Sequence, residues 1–173
     1  MTTDTEAQAL TAWFKGRVDD GWFEALEVRT DRDEILVIGT LTPPVLAEAD
    51  DDEARRAAAL ARTEGFRDDT RDARIAIASV AERSFERKVS WAVRCGDVER
   101  RFTVANVPVM TRLLLDERQV LDTLIDGGIA RSRSEALAWC VKLVGQKQAE
   151  WIDELRQALV AVEQVRAGGP QPG

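Results

Sequence analysis

Apolar side chains return at helical spacing near the start of the chain. Ala7, Leu10, Phe14 and Val18 fall on one face with Trp13 beside them, which predicts an amphipathic helix over 5–18. Asp19-Asp20-Gly21 stops it. Two strand-like runs follow, Trp22 to Thr30 and Ile35 to Leu41, joined by the polar Asp31-Arg32-Asp33-Glu34. Ile35-Leu36-Val37-Ile38 is continuously apolar, the pattern of a strand covered on both faces. Thr42-Pro43-Pro44 ends it, because proline can neither donate to a ladder nor follow a helical residue comfortably. A helical stretch is predicted over 50–88, opened by Asp50-Asp51-Asp52-Glu53, whose charges suit a helix N-terminus, with Gly65 as a point of division. A hairpin follows, Val89 to Arg94 and Val98 to Val107, turning at Cys95-Gly96-Asp97.

Beyond residue 108 the pattern is helical. Val120, Leu121, Leu124 and Ile125 recur at helical spacing, and Ile129 follows a Gly127-Gly128 stop. Ser132 and Glu135 fit a capping box for the next helix, with the Glu carboxylate returning to the cap amide. Leu137, Cys140, Val141 and Val144 then repeat the period. From Val144 through Gln148, Trp151, Leu155, Ala158, Val162 and Val165 the steps alternate between four and three, the seam of a coiled coil, which Ile152 and Leu159 widen. A continuous helix from Ser134 to Arg166 would be about 50 Å long, more than a small domain can cover, which calls for self-association or a partner helix. The alternative is a break at Gly145, with the second half folding back.

These elements predict an α+β fold: a small antiparallel sheet with flanking helices over 1–107, a helical hairpin and long C-terminal helix over 108–166, and a flexible tail over 167–173.

The run Val109-Met110-Thr111-Arg112-Leu113, a helix of about three turns, a glycine break and a second helix opened by Ser132-x-x-Glu135 resembles the ribbon-helix-helix family of dimeric DNA-binding proteins. The likeness covers about 109–144. It implies an antiparallel ribbon shared by two copies and laid in the major groove. Alternation would then turn Val109, Thr111 and Leu113 inward and Met110 and Arg112 outward to base edges. Arg131, Ser132, Arg133 and Ser134 would meet phosphate at the start of the second helix. Leu121, Leu124, Ile125, Leu137, Val141 and Val144, continued by Trp151 and Leu155 of the seam, would form the dimer interface. Without the resemblance, the same residues describe a helical hairpin that completes an α+β core or serves only as an interface.

Charge narrows the options. The chain is 173 residues long with a formal net charge of −7. Residues 1–50 carry 4 basic and 11 acidic side chains, 51–107 carry 12 and 11, and 108–173 carry 8 and 9. Indiscriminate DNA coating draws on clustered Lys and Arg, so a histone-like role is excluded, while sequence-specific DNA binding or protein binding is not. Arg67, Arg71 and Arg74 share a helical face, either a phosphate stripe or, more simply, a solvated face among Asp68, Asp69 and Asp72. The pairs Trp13-Phe14 and Trp22-Phe23 could form a binding platform, but aromatic pairs beside a helix-to-strand turn more often pack inside. Arginine outnumbers lysine 20 to 4, a bias that suits a GC-rich bacterial genome.

Catalysis finds no support. There is no His, the usual acid–base group near neutrality. Cys95 and Cys140 lack metal-ligand spacing and read as reduced, partly buried thiols, and no phosphate loop or nucleophile elbow is present. No enzyme, metal or cofactor is expected. The chain shows no bilayer-length apolar run and no signal peptide, so a cytoplasmic protein without a membrane partner is expected. The leading expectation is a homodimeric, sequence-specific DNA-binding regulator. The alternative is a self-associating adaptor, antitoxin-like in one form, that meets a protein partner through its acidic N-terminal region or C-terminal helix.

Overall fold

The computed structural model describes residues 4–46 and 51–167. The chain divides into two units, one ending at Val107 and the other starting at Pro108. The class is α+β, as the pattern predicts.

The first unit holds α1 (Asp4–Lys15), β1 (Ala25–Thr30), β2 (Glu34–Thr40), α2 (Asp52–Asp69), α3 (Arg71–Phe85), β3 (Lys88–Cys95) and β4 (Val98–Arg101). Its sheet runs β1-β2-β3-β4. The outer pairs are antiparallel, but β2 and β3 run parallel, so the sheet is mixed where an antiparallel one was expected. The reason lies in the connections: short turns join the outer pairs, whereas α2 and α3 carry the chain back to the start of the sheet before β3 begins. The helical stretch divides at Thr70 rather than Gly65. Thr70 Oγ1 donates to the Phe66 carbonyl and accepts from Arg74, while Gly65 sits inside α2 with open space where a Cβ would be. The hairpin's second arm ends at Arg101, not Val107. Asp50 lies outside the described residues; Asp51 caps α2 by accepting from the Ala54 amide.

All three helices pack on one face of this sheet. Leu10 and Phe14 of α1 and Ala81 of α3 meet Val28, Ile35, Val37, Val89 and Trp91 in the main core. Ala59 of α2 meets Val93, Cys95 and Val98 in a second cluster, with Phe23, Phe66 and Phe102 at its edge. The aromatic pairs are therefore packing elements: Phe14 meets Trp91 edge-on, and Trp22 meets Phe66. Phe23 lies where a Cβ on Gly39 would stand, which explains a glycine in the central strand β2. On the opposite face, Leu36, Ile38 and Ala92 form a small cluster. There Arg94 donates to Glu27 of β1 at 2.7 Å and to Glu99 of β4 at 2.8 Å, so one guanidinium ties together the two outer strands.

The second unit holds α4 (Leu115–Asp126), α5 (Arg133–Lys147) and α6 (Ala149–Ala167). Leu121, Ala130 and Ala136 are its buried centre, with Leu113, Leu124, Ile125, Leu137 and Cys140 packed around them. Gly128, at φ 74°, ends α4: its amide reaches the Ile125 carbonyl and the Ile129 amide reaches that of Leu124, the paired bonds of a Schellman motif. The long helix is interrupted at Gln148, where φ is −121°, and not at Gly145, which stays within α5. Of the expected tail, Ala167 closes α6 and 168–173 lie outside the described residues. No helix among the described residues is long and apolar enough to cross a membrane.

Candidate functional site

Met110, Leu121, Arg133, Ser134 and Leu137, among the residues singled out in the second unit, line one shallow groove of about 310 Å³, whereas Arg112, Arg131 and Ser132 do not. One side comes from the segment Val109, Met110, Thr111 and Leu113, the other from Arg118 and Leu121 of α4 and Arg133, Ser134 and Leu137 of α5. Two contacts fix the segment to α4. Arg118 Nη1 donates to the Leu113 carbonyl at 2.6 Å, and Glu117 Oε2 accepts from the Leu114 amide at 2.6 Å. Sequence reasoning missed both, although a Glu three residues after the helix boundary is the return half of a capping box.

Residues 109–113 form no strand in the single chain. A lone extended segment has no ladder partner, so a ribbon requires another strand. Met110 is 97% exposed, and Val109, expected to face inward, is 85% exposed. Arg112 is exposed and makes no hydrogen bond or ion pair among the described residues.

The start of α5 is capped as expected on one side and differently on the other. Ser132 Oγ accepts from the Glu135 amide at 3.2 Å. Glu135 returns not to the Ser132 amide but to that of Arg131, at 2.8 Å, and also holds the Arg131 guanidinium. Arg133 lies bidentate on Asp122 of α4, with both bonds at 2.7 Å. Those bonds hold the Asp122 carboxyl below its usual range, and the Arg131 amide does the same for Glu135. Ser134 is exposed, and the amides of Arg133 and Ser134 are left free by helix geometry. Thus Met110, Arg112 and Ser134 stand open, whereas Arg131 and Arg133 are already engaged by carboxylates.

The eight residues expected at a dimer interface separate into two groups. Leu121 is buried inside the hairpin, and Leu124, Ile125 and Leu137 pack against it, so these four serve the protomer's own core. Val141, Val144, Trp151 and Leu155 remain open, with Trp151 58% exposed. Leu115, Val120, Ile129, Val162 and Val165 are exposed as well.

In the first unit, Arg74 departs from both readings of the arginine stripe. It is only 5% exposed. Its guanidinium donates to Thr70 Oγ1 and to the Arg67 carbonyl and lies 4.7 Å from the centre of the Phe102 ring. It satisfies the end of α2 and neither solvates a face nor lines a stripe. Cys95 is buried, which pushes its thiol pKa up, and Cys140 is half-buried; both are free. Among the described residues, no three His, Cys, Asp or Glu side chains come together to hold a metal ion.

Comparison with known proteins agrees with the division into two units. Residues 8–101 match the family described as Rv1265-like protein, N-terminal domain, and residues 115–166 match the Mb1296 C-terminal domain. Uncharacterized protein Mb1296 of Mycobacterium bovis and uncharacterized protein Rv1265 of Mycobacterium tuberculosis are each 49% identical over 166 residues, covering 95% of this chain and 72% of theirs. The chain belongs to this Rv1265-like family. No solved structure matches it with significance.

Proposed function

We propose that this protein is a homodimeric, sequence-specific DNA-binding regulator of the cytoplasm, with a second unit of ribbon-helix-helix character. One observation carries the reading: Met110 and Arg112 stand unpaired on a segment that shares a groove with the open start of α5. Pairing 109–113 with its twin would satisfy the segment's backbone groups and cover Val109, while Met110 and Arg112 point away. Arg112 then suits guanine O6 and N7, which a guanidinium takes together. The amides of Arg133 and Ser134, at the positive end of the α5 dipole, suit a phosphate. The role needs no cofactor and no catalytic group.

Selection of bound fragments from a random DNA library, followed by the Ser134→Asp variant, tests this. A carboxylate in the first turn suits the helix dipole, so the variant should melt no lower than wild type and stay dimeric. On the selected palindrome it should lose at least about tenfold in affinity, since like charges then meet at a desolvated contact. Wild-type affinity in the variant would remove this helix end as the phosphate anchor.

A second reading is favoured by the ion pairs. Because Arg131 and Arg133 already hold Glu135 and Asp122, the hairpin can serve as a purely protein-binding adaptor. Selection that enriches no DNA even at low salt would replace the first reading with this one.

A further inference from the structure

Arg62, Phe66 and Asp69 of α2 and its cap Thr70 recur at helical spacing, so they turn to one side of that helix. Trp22 and Leu41 stand across from them, and together they line a cavity of about 220 Å³ in the first unit. Its floor is closed: Leu41 and Thr70 are buried, and Trp22 and Phe66 are half-buried. The rings of Trp22 and Phe66 meet at 89° with centres 5.5 Å apart, which makes a corner of two perpendicular walls. The Thr70 hydroxyl is already taken up by the Phe66 carbonyl and by Arg74.

Opposite charges stand at the two ends of this cavity. Arg62 and Asp69 are both exposed and lie about 10 Å apart along the helix axis, too far for their backbones to favour a direct pair. Arg62 Nε donates to the Thr42 carbonyl at 3.4 Å, and its Nη groups meet no acceptor among the described residues. The Asp69 carboxylate makes no hydrogen bond or ion pair among them either. A simple cation drawn to Asp69 and the rings would be repelled by Arg62, and a simple anion by Asp69. A molecule that carries both charges on one small frame satisfies both ends. The negative end of the α2 dipole lies beside Asp69, which favours an ammonium there, and the fork of Arg62 suits a carboxylate. The volume is several times the roughly 30 Å³ share of one water. It falls short of the roughly 300 Å³ at which sites for drug-sized ligands begin.

We propose that this cavity binds a free α-amino acid with an apolar side chain. Its carboxylate meets Arg62, its ammonium meets Asp69, and its side chain fills the corner of Trp22 and Phe66. The site lies wholly within the first unit and does not depend on the DNA-binding reading of the second.

The test uses the full chain. L-valine, L-leucine, L-isoleucine, L-methionine and L-phenylalanine are titrated one at a time by calorimetry up to the millimolar range, and the wild type should bind at least one of them. The best binder is then compared with the amine that lacks its carboxylate and the acid that lacks its ammonium (isoamylamine and isocaproate in the case of leucine). Each should bind at least about tenfold more weakly, the loss expected for one charged hydrogen bond. Arg62→Gln and Asp69→Asn alter exposed side chains, and both variants should fold as wild type does. Arg62→Gln should weaken the amino acid by a similar factor without weakening the amine. Asp69→Asn should weaken it equally without weakening the acid, a crossed pattern that assigns each end. If none of the amino acids binds wild type in that range, the proposal falls. If one binds both variants as it binds wild type, this cavity is not its site. If the amine binds as tightly as the amino acid and Arg62→Gln changes nothing, the corner takes a cation and the amino-acid assignment is overturned.

Discussion

The two units bury their apolar side chains in opposite ways. In the first, three helices cover one face of a four-stranded sheet, and Phe14, Ile35 and Val37 reach full burial within one chain. In the second, two helices close over Leu121, Ala130 and Ala136 alone among the described residues, while Val141, Val144, Trp151, Leu155, Val162 and Val165 stay in water. A sheet with a helical layer is a closed solution, whereas an open hairpin followed by one more helix presents a second face with nothing of its own to meet. The first unit therefore owes its stability to itself. The second leaves exposed an apolar stripe that the proposed dimer would cover.

The largest expected effect breaks the closed unit. Phe14→Ala removes a ring that meets Trp13 and Trp91 edge-on, and should cost about 3–5 kcal/mol. Chemical denaturation followed by tryptophan fluorescence measures it. The loss should be the same at every protein concentration, because no second chain takes part in that core. A concentration-dependent loss would mean that the first unit is not self-contained.

The open unit should behave in the opposite sense. Trp151→Ala should leave the hairpin folded and weaken the proposed dimer by about 2 kcal/mol, roughly thirtyfold in Kd. Sedimentation equilibrium reads the shift, and the melting of the second unit should rise with wild-type concentration. A wild-type chain that sediments at 19.2 kDa at tens of micromolar (about the range where a specific interface persists) would overturn the dimer and the ribbon with it.

Much of the fold was legible in the sequence, and the misses share a cause. The apolar run Ile35–Ile38 marked a central strand because burial on both faces leaves no alternation. Nothing in that run tells whether β3 arrives parallel, since direction depends on the helices between. Gly65 looked like a helix break on propensity, but the break follows Thr70, where side-chain bonds to Phe66 and from Arg74 compete with the helix. At the site, the Ser132 cap was legible because capping is local. The Asp122–Arg133 pair joins residues eleven apart on two helices and leaves no periodic trace.

A smaller effect tests the cap within the open unit. Ser132→Ala leaves the Glu135 amide without its acceptor and should cost about 1 kcal/mol. Amide exchange should increase over the first turn of α5 and stay unchanged in β2 and β3. Loss of protection in the sheet as well would mean that the two units unfold together.

The smallest expected effect concerns Asp122, where stability and function pull apart. Arg133's hydrogen bonds lower the pKa of the Asp122 carboxyl below its ordinary value. A carboxyl whose folded pKa is depressed stabilises the fold above its unfolded pKa, and the contribution disappears as pH falls through the folded value. The second unit should therefore lose a little stability below the ordinary aspartate range, and Asp122→Asn should remove that part of the pH dependence while slightly lowering the melt near neutrality. The pair is open to solvent, so the change is small. On DNA the sign reverses if Arg133 is a phosphate ligand. With no carboxylate competing for its guanidinium, Asp122→Asn should bind the selected site more tightly and steepen the salt slope by up to about one unit. A variant with lower melting and unchanged DNA binding would assign Arg133 to joining α4 and α5 alone, and would leave the start of α5 to its amides and Ser134.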